Sequence, residues 1–356
     1  MKRFKTLVVG MAMLTLAFTG CASSTASSEV KGGQTAESTA TSEVGAEVAT
    51  DATTSASERT VKEVSEIVYK NEAGQTVVSH KYGETIVPEN PERIVSIKLE
   101  DLMLALGVDM VASRNFEGFY LEDQLNELGI GTIAVDEEAD TINLEQVLSY
   151  KPDLIVIRDS FDQAVYDELS KIAPTIAFDL KTSTTSLLAL GEALGMADEA
   201  TERLAAYGEV IANAKEALQG VAEEEVAMLR IMKKEIRLYP YSTNDMSNFL
   251  YKDLGLAADP MVIAYDETDS NAISMELLPD LTAEHIFVVA GYGSVGAEAV
   301  QEAQERYDSI KADALWQGVP AVQKGNIYEV DSRVWLTHGI LATEMKIADV
   351  VEHLTK

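Results

Sequence analysis

The feature that most constrains the fold is an alternation of short apolar strands with amphipathic helices, which occurs twice along the chain. The first alternation begins with "RIVSI" and "KLEDLMLALGV" and ends with "DLIVIR" and "TIAFD". The second begins with "EVAMLRIM". Strands and helices of these lengths in alternation predict βαβ units, in which a parallel sheet is covered by helices on both faces.

A long helical pattern separates the two alternations and predicts their arrangement. We expect an α/β fold of two Rossmann-like lobes with parallel-rich sheets, bridged by one long helix, with a ligand cleft between the lobes. The predicted bounds are 61–185 for the N-terminal lobe, 186–220 for the connecting helix and 221–356 for the C-terminal lobe. Within the first lobe, residues 65–97 alternate apolar and polar positions and predict paired strands.

The N-terminus has the pattern of an exported, lipid-anchored protein. A basic start and an apolar run lead to Cys21, the only cysteine in the chain. This arrangement resembles a bacterial lipoprotein signal, which implies a signal peptide over 1–20 and a lipid on Cys21. The alternative is an ordinary signal peptide with a chance cysteine. Residues 21–60 are rich in Ser, Thr, Ala, Gly and Glu and predict a disordered tether.

Charge and motif content exclude several functions. The formal net charge is −31, which argues against a nucleic-acid partner. No cysteine–histidine metal spacing and no nucleophile motif is present, so neither a metal site nor catalytic residues are predicted. The segment "GYGSVG" at 291–296 lies between a predicted strand and a predicted helix. It lacks the acidic residue that a dinucleotide fingerprint requires about 20 residues later, so we interpret it as a turn.

Four segments resemble one family in its own order along the chain. They are "GETIVPENPERIVSIKLEDLMLALGV", "INLEQVLSYKPDLIVI", "SNFLYKDLGL" and "ALWQGVPAVQKGNIYEVDSRVW". They resemble the substrate-binding proteins of ABC importers for iron–siderophores, haem and cobalamin. The resemblance implies two lobes bridged by a helix, a ligand held in the cleft between them, and docking on a membrane permease with its ATPase.

Basic residues follow several of the predicted strands. Because the carboxyl ends of parallel strands share one edge of a sheet, and ligands bind just beyond that edge, we expect these residues at the cleft. With two neighbouring aromatic residues, the predicted ligand-binding set is Lys98, Arg114, Arg158, Arg230, Arg333, Tyr239 and Trp335. Such a set predicts an anionic ligand, since guanidinium groups present planar donors to carboxylate, hydroxamate or catecholate oxygens. The alternative is that each cation pairs with one of the many acids.

Two glutamates occupy similar positions, one in each lobe. Glu145 lies in "INLEQVL" and Glu276 in "AISMELL", each at a predicted helix start. The family resemblance implies that these acids pair with arginines on the two permease subunits. The alternative is that each acid only stabilises the dipole of its helix. A capping box does not fit, because each acid lies one residue too early for it.

These observations together predict a lipid-anchored substrate-binding subunit of an ABC importer, without enzymatic activity or a resident cofactor. Its expected ligand is an anionic ferric siderophore. Its expected location is the extracytoplasmic face of the cell membrane, and the long tether favours a Gram-positive surface. A haem or corrinoid ligand is the alternative within the family, with His338 or Met232 as the axial ligand that haem would need. An adhesion or scaffold lipoprotein is the alternative from another class.

Overall fold

A computed structural model describes residues 63–356, apart from residues 138, 243–245, 267–270 and 294–296. All of these belong to one compact unit, Ala52–Lys356. The predicted signal peptide, Cys21 and the predicted tether to residue 60 lie outside the described residues.

The strands and helices follow the alternation that the sequence predicts. The strands are β1 Val68–Lys70, β2 Thr76–His80, β3 Gly83–Ile86, β4 Ile94–Ile97, β5 Ala112–Arg114, β6 Gly131–Ile133, β7 Val135–Asp136, β8 Thr141–Ile142, β9 Leu154–Arg158, β10 Thr175–Phe178, β11 Val226–Ile231, β12 Ile236–Leu238, β13 Ala272–Ile273, β14 His285–Ala290 and β15 Ile327–Glu329. From residue 100 onward the α-helices are α1 Glu100–Leu106, α2 Glu122–Glu127, α3 Leu144–Ser149, α4 Gln163–Ser170, α5 Ser183–Leu194, α6 Ala197–Ala217, α7 Pro260–Ala264, α8 Ala297–Lys311, α9 Ala314–Gln317, α10 Pro320–Lys324, α11 Ser332–Trp335 and α12 Ile340–Leu354. A π-helix spans Phe249–Asp253 and a 3₁₀ helix spans Met275–Asp280.

Five parallel strands form the sheet of the first lobe, in the order β10-β9-β4-β5-β6. Val95 of β4 pairs with Ile155 of β9 on one side and with Ala112 of β5 on the other. Successive residues of β4 and β9 enter different apolar clusters, Ile94 and Leu154 on one face and Val95 and Ile155 on the other. Because both faces are buried, these strands are continuous apolar runs, and their carboxyl ends meet at one edge.

The sheet of the second lobe is only partly parallel, in the order β13-β12-β11-β14-β15. Strands β11, β14 and β15 are parallel, whereas β12 runs antiparallel to β11 and β13. Only residues 232–235 join β11 to β12, and Met232 N–H donates to the Glu235 carbonyl across this turn. A parallel crossover needs a dozen or more residues, so this connection can only be a hairpin.

The long helix predicted between the lobes is α6, Ala197–Ala217, and the predicted range 186–220 also includes the end of a second helix, α5. Helix α5 ends at Leu194, and the long helix α6 begins at Ala197. Gly195 ends α5 in the left-handed conformation with φ 72°, which favours glycine. The two helices then pack closely, since a Cβ at Gly191 would lie 2.4 Å from the Cβ of Ala200. In the part of the chain that the structure describes, no helix is both long and apolar enough to cross a bilayer.

A three-stranded antiparallel sheet, β1-β2-β3, precedes the first lobe and confirms the paired strands predicted within 65–97. The Thr85 hydroxyl of β3 donates to the Thr175 carbonyl of β10 at 2.8 Å. Tyr82 donates from its hydroxyl to the Phe161 carbonyl at 2.6 Å. These bonds attach the small sheet to the first lobe near the loop that follows Arg158.

Candidate functional site

The two lobes enclose a cavity of about 320 Å³ at the carboxyl edge of the first sheet. Lys98, Arg114 and Arg158 reach it from the ends of β4, β5 and β9, as the parallel topology predicts. The second lobe contributes residues that include Tyr292 and Arg333. The cavity lies where two α/β lobes face each other, and its volume falls in the range of small-molecule sites.

Lys98 and Arg114 are paired with acids of the first lobe. Glu137 bridges them, with one oxygen 3.2 Å from Lys98 Nζ and the other 2.9 Å from Arg114 Nη1. Lys98 also pairs with Asp140, and Arg114 Nη2 lies 3.3 Å from Glu100. The alternative that the sequence left open, in which cations pair with nearby acids, therefore holds for these two residues.

Burial and charge oppose each other in this cluster. Burial lowers the pKa of Arg114, but Glu100 and Glu137 more than compensate, so the pKa is raised overall. Burial raises the pKa of Glu100 against the lowering effect of Arg114. Lys98 has a left-handed backbone with φ 64° and Asp140 has φ 51°. Ion pairing thus coincides with two backbone conformations that non-glycine residues rarely adopt.

Arg158 and Arg333 differ from the other two cations. Within the part of the chain that the structure describes, neither is ion-paired with a carboxylate. Arg158 Nε is buried without a hydrogen-bond partner among those residues. Arg333 Nη1 donates to the Gly118 carbonyl of the first lobe at 2.6 Å. The cavity therefore holds one arginine from each lobe that forms no ion pair with a carboxylate among the described residues.

Gly118 is the counterpart of Arg333. Its φ of 74° lies in the left-handed region. A Cβ there would lie 1.4 Å from Arg333 Nη1. A side chain at residue 118 would therefore displace the guanidinium, so glycine is needed for this contact between the lobes.

A second contact between the lobes involves Asp101, which is buried in α1 and lines the cavity. Its carboxylate accepts the N–H groups of Leu341 at 3.0 Å and Ala342 at 2.9 Å, in the first turn of α12. It also accepts the Tyr120 hydroxyl at 2.8 Å. Since Gly339 before α12 has no side chain to cap the helix, Asp101 supplies that cap from the other lobe.

Aromatic residues form part of the cavity wall, but not the two that the sequence suggested. Phe116, Phe119 and Tyr120 line it, and the Arg114 guanidinium lies 4.5 Å from the Phe119 ring centre. Tyr239 and Trp335 are instead buried in the apolar core and do not line the cavity.

Trp335 packs against Phe287 with ring centres 4.9 Å apart and donates from Nε1 to Asp349 at 2.7 Å. Tyr239 is 3% exposed, and its hydroxyl lies 3.9 Å from the Met246 sulfur. These contacts use both polar atoms inside the second lobe. We therefore assign both residues to the core, which corrects the expectation that they contact a ligand.

Arg230 also lies outside the cavity wall. Its Nε donates to the Gly291 carbonyl at 3.0 Å, and its guanidinium lies 5.4 Å from the Tyr292 ring centre. Tyr292 and Gly293 do line the cavity. Arg230 therefore supports the segment that forms the wall rather than the wall itself.

The acids of the cavity were not among the predicted ligand-binding residues. Glu100, Asp101, Glu137 and Asp140 all line it. Glu100 and Asp101 lie shortly after Ile97, the last residue of β4, so the strand end that identified Lys98 could also have identified them. Glu137 and Asp140 belong to the β7–β8 hairpin, and nothing in their spacing relates them to Lys98 or Arg114.

Both predicted docking glutamates are exposed. At α3, Asn143 Oδ1 accepts the Gln146 N–H at 3.1 Å, so the helix is capped without Glu145. Glu276 begins a 3₁₀ helix rather than an α-helix, and the Ser274 hydroxyl lowers its pKa. Capping therefore does not account for Glu145, and its role in docking stays a prediction, as does that of Glu276.

The residues considered for haem do not reach the cavity. Met232 is a core residue, and His338 lines a different cavity of about 520 Å³ between α5, α6 and α12. Among the described residues that line the cavity between the lobes, none is His, Met or Cys. The described part of the chain also contains no cluster of His, Cys, Asp and Glu that could hold a metal ion.

Comparison with known proteins identifies relatives that cover most of the chain. A Bacillus subtilis protein named "Probable siderophore-binding lipoprotein YfiY" is 27% identical over 290 residues, 77% of this chain and 86% of the relative. The Fe(3+)-citrate-binding protein YfmC of the same organism is 27% identical over 293 residues, 80% of this chain and 87% of the relative.

Solved structures agree with the fold. Staphylococcus aureus SirA complexed with staphyloferrin B is 25% identical with a TM-score of 0.63, over 78% of this chain and 98% of that one. The sequence model of the periplasmic binding protein family matches residues 101–334, which is more than half of the chain. Together with the two-lobed α/β fold and the cavity between the lobes, this match shows that the chain belongs to the periplasmic binding protein family.

Proposed function

We propose that this protein is the lipid-anchored substrate-binding subunit of an ABC importer, and that it captures an anionic ferric siderophore between its lobes. The observation that carries the proposal is the pair of cavity arginines, Arg158 and Arg333, neither of which forms an ion pair with a carboxylate among the described residues. The names of relatives that bind siderophores or ferric citrate support the choice of ligand.

The two arginines explain how a ligand would be held. Arg158 belongs to the first lobe and Arg333 to the second, so anionic oxygens of one chelate contacting both would connect the lobes. Phe116 and Phe119 would cover apolar parts of the chelate. Iron is the cargo inside the chelate, so the cavity needs no metal ligands of its own. Binding breaks no covalent bond, and ATP would be hydrolysed on the partner subunit.

Delivery requires the membrane partners that the sequence predicts. Cys21 would carry the lipid that holds the protein at the extracytoplasmic face of the cell membrane. Glu145 and Glu276, one exposed acid on each lobe, would pair with basic residues on the two halves of the permease. Lys98, Arg114 and Arg230 support the cavity in this proposal but are not its free charges.

The adhesion or scaffold alternative predicts a cavity lined by acids, and four acids do line this one. Their carboxylates are used inside the molecule, however. Glu137 and Asp140 contact Lys98, and Asp101 accepts two backbone N–H groups. The acids therefore do not form a free surface that would attract a basic protein partner.

Calorimetric titration against a panel of ligands tests the proposal. The panel is an uncharged ferric tris-hydroxamate, ferric citrate, a ferric tris-catecholate, haem and cobalamin. We expect saturable binding of at least one ferric chelate and weak or no binding of haem, because the cavity wall offers no axial ligand. Tight binding of haem or cobalamin, with no response to any ferric chelate, would refute the siderophore assignment.

A further inference from the structure

The cavity between the lobes is balanced in charge, although its position at the ends of strands suggested a positive site. Its wall carries as many acids as cations. The cations are Lys98, Arg114, Arg158 and Arg333, and the acids are Glu100, Asp101, Glu137 and Asp140. The positive charge open to a ligand is therefore limited to Arg158 and Arg333, the two cations without an ion pair among the described residues.

Glu137 lies between two cations of the cavity wall, Lys98 and Arg114. Its two oxygens contact Arg114 Nη1 at 2.9 Å and Lys98 Nζ at 3.2 Å, and its side chain is only 12% exposed. Asp140 adds a second carboxylate on Lys98 and is 49% exposed. Lys98 and Arg114 are thus already paired with carboxylates of the same chain.

The four acids differ in what else holds them. Asp101 caps α12, and Glu100 accepts the Lys98 backbone N–H at 2.8 Å, so both have backbone partners. The contacts that the structure gives for the side chains of Glu137 and Asp140 are with Lys98 and Arg114 alone. Glu137 and Asp140 therefore act mainly through their charge, whereas Glu100 and Asp101 also bind backbone N–H groups.

The β7–β8 hairpin holds the two acids in position. Val135 pairs with Ile142, and Asp136 pairs with Thr141. At the base of the hairpin, Ala134 N–H donates to Gln146 Oε1 at 2.8 Å, and Asn143 N–H donates to the Ala134 carbonyl at 3.1 Å. These hydrogen bonds attach the hairpin to α3 and so fix the positions of Glu137 and Asp140.

We infer that Glu137 and Asp140 act as internal counter-ions, which make the cavity select ferric chelates of low net negative charge over highly charged ones. The inference rests on the proposed function and narrows its ligand class. Only Arg158 and Arg333 remain to neutralise a ligand. Three hydroxamates leave ferric iron uncharged overall. Three catecholates, each doubly ionised, leave a trianion, whose third charge finds no free cation beside Glu137 and Asp140.

Calorimetric titrations of the wild type, Glu137→Gln and Asp140→Asn test this inference, with an uncharged ferric tris-hydroxamate and a trianionic ferric tris-catecholate as probes. Glu127→Gln and Asp123→Asn are matched controls, because both acids are exposed in the first lobe. Each cavity variant should raise the affinity for the tris-catecholate roughly tenfold relative to the affinity for the tris-hydroxamate. The controls should match the wild type with both probes.

The inference is wrong if the cavity variants fold normally but their affinity for the trianion does not rise relative to their affinity for the uncharged chelate. In that case the proposed function stands. If no ferric chelate binds to any variant, the proposed function falls and the inference falls with it. Glu137→Gln removes a carboxylate partner from both Lys98 and Arg114 and could destabilise the protein. Asp140→Asn changes a more exposed acid and therefore serves as the second variant.

Discussion

Substituting Gly118 by Ala should separate the contact between the lobes from ordinary backbone strain. An alanine with φ near 74° costs roughly 1–2 kcal/mol, because the left-handed region is unfavourable for a residue with a Cβ. The Cβ would also overlap Arg333 Nη1 and break the bond to the Gly118 carbonyl. A hydrogen bond from a charged donor contributes about 1.5–3 kcal/mol.

Gly129→Ala is the matched control for this substitution. Gly129 has φ 69°, and a Cβ there would meet nothing within 4 Å. Both variants therefore carry the backbone cost, and only Gly118→Ala also displaces Arg333. We expect the free energy of unfolding of Gly118→Ala to be about 2 kcal/mol lower than that of Gly129→Ala. This difference corresponds to a thermal unfolding midpoint roughly 4–8 °C lower.

Urea unfolding of both variants measures the difference, and titration with the ferric chelate that the wild type binds measures its consequence. Displacing Arg333 should weaken binding about tenfold in Gly118→Ala and leave Gly129→Ala unchanged. Equal stability of the two variants, or wild-type affinity in Gly118→Ala, would show that the hydrogen bond to the Gly118 carbonyl does not hold Arg333 in place.

Three further predictions concern the arginines, the anchor and the permease. Arg158→Ala and Arg333→Ala should each weaken chelate binding by roughly tenfold to a hundredfold while the protein stays folded, which calorimetry and circular dichroism can check. Cys21→Ala should abolish incorporation of a labelled fatty acid, and unchanged labelling would remove the anchor from the account. Combined Glu145→Ala and Glu276→Ala should bind chelate normally, melt within a few degrees of the wild type and fail to stimulate the permease ATPase. Wild-type transport by that double variant would refute the docking assignment.

Positions that depend on local pattern were predictable from the sequence. Arg158 follows an apolar run of β type, and parallel topology places the end of that run at the ligand-binding edge. The same reasoning placed Lys98 and Arg114 there. Both alternations of strand and helix were predicted because burial on two faces leaves continuous apolar strands.

Positions that depend on long-range pairing were not predictable. Glu137 meets Arg114 only because the β7–β8 hairpin turns back over the end of β5, and no spacing in the sequence encodes that contact. Trp335 follows Arg333 by two residues, yet the short helix α11 turns the indole into the core and leaves the guanidinium at the cavity. Whether such a side chain points into the core or into the cavity depends on tertiary packing rather than on local sequence.

The central claim is that a ferric chelate binds between Arg158 and Arg333. Anomalous diffraction at the iron absorption edge, from crystals grown with the chelate that binds most tightly in solution, tests it directly. The account predicts an iron peak inside the cavity between the lobes, with chelate oxygens contacting both guanidinium groups. An iron peak in the second cavity beside His338, or in the cleft but contacting neither arginine, would contradict it.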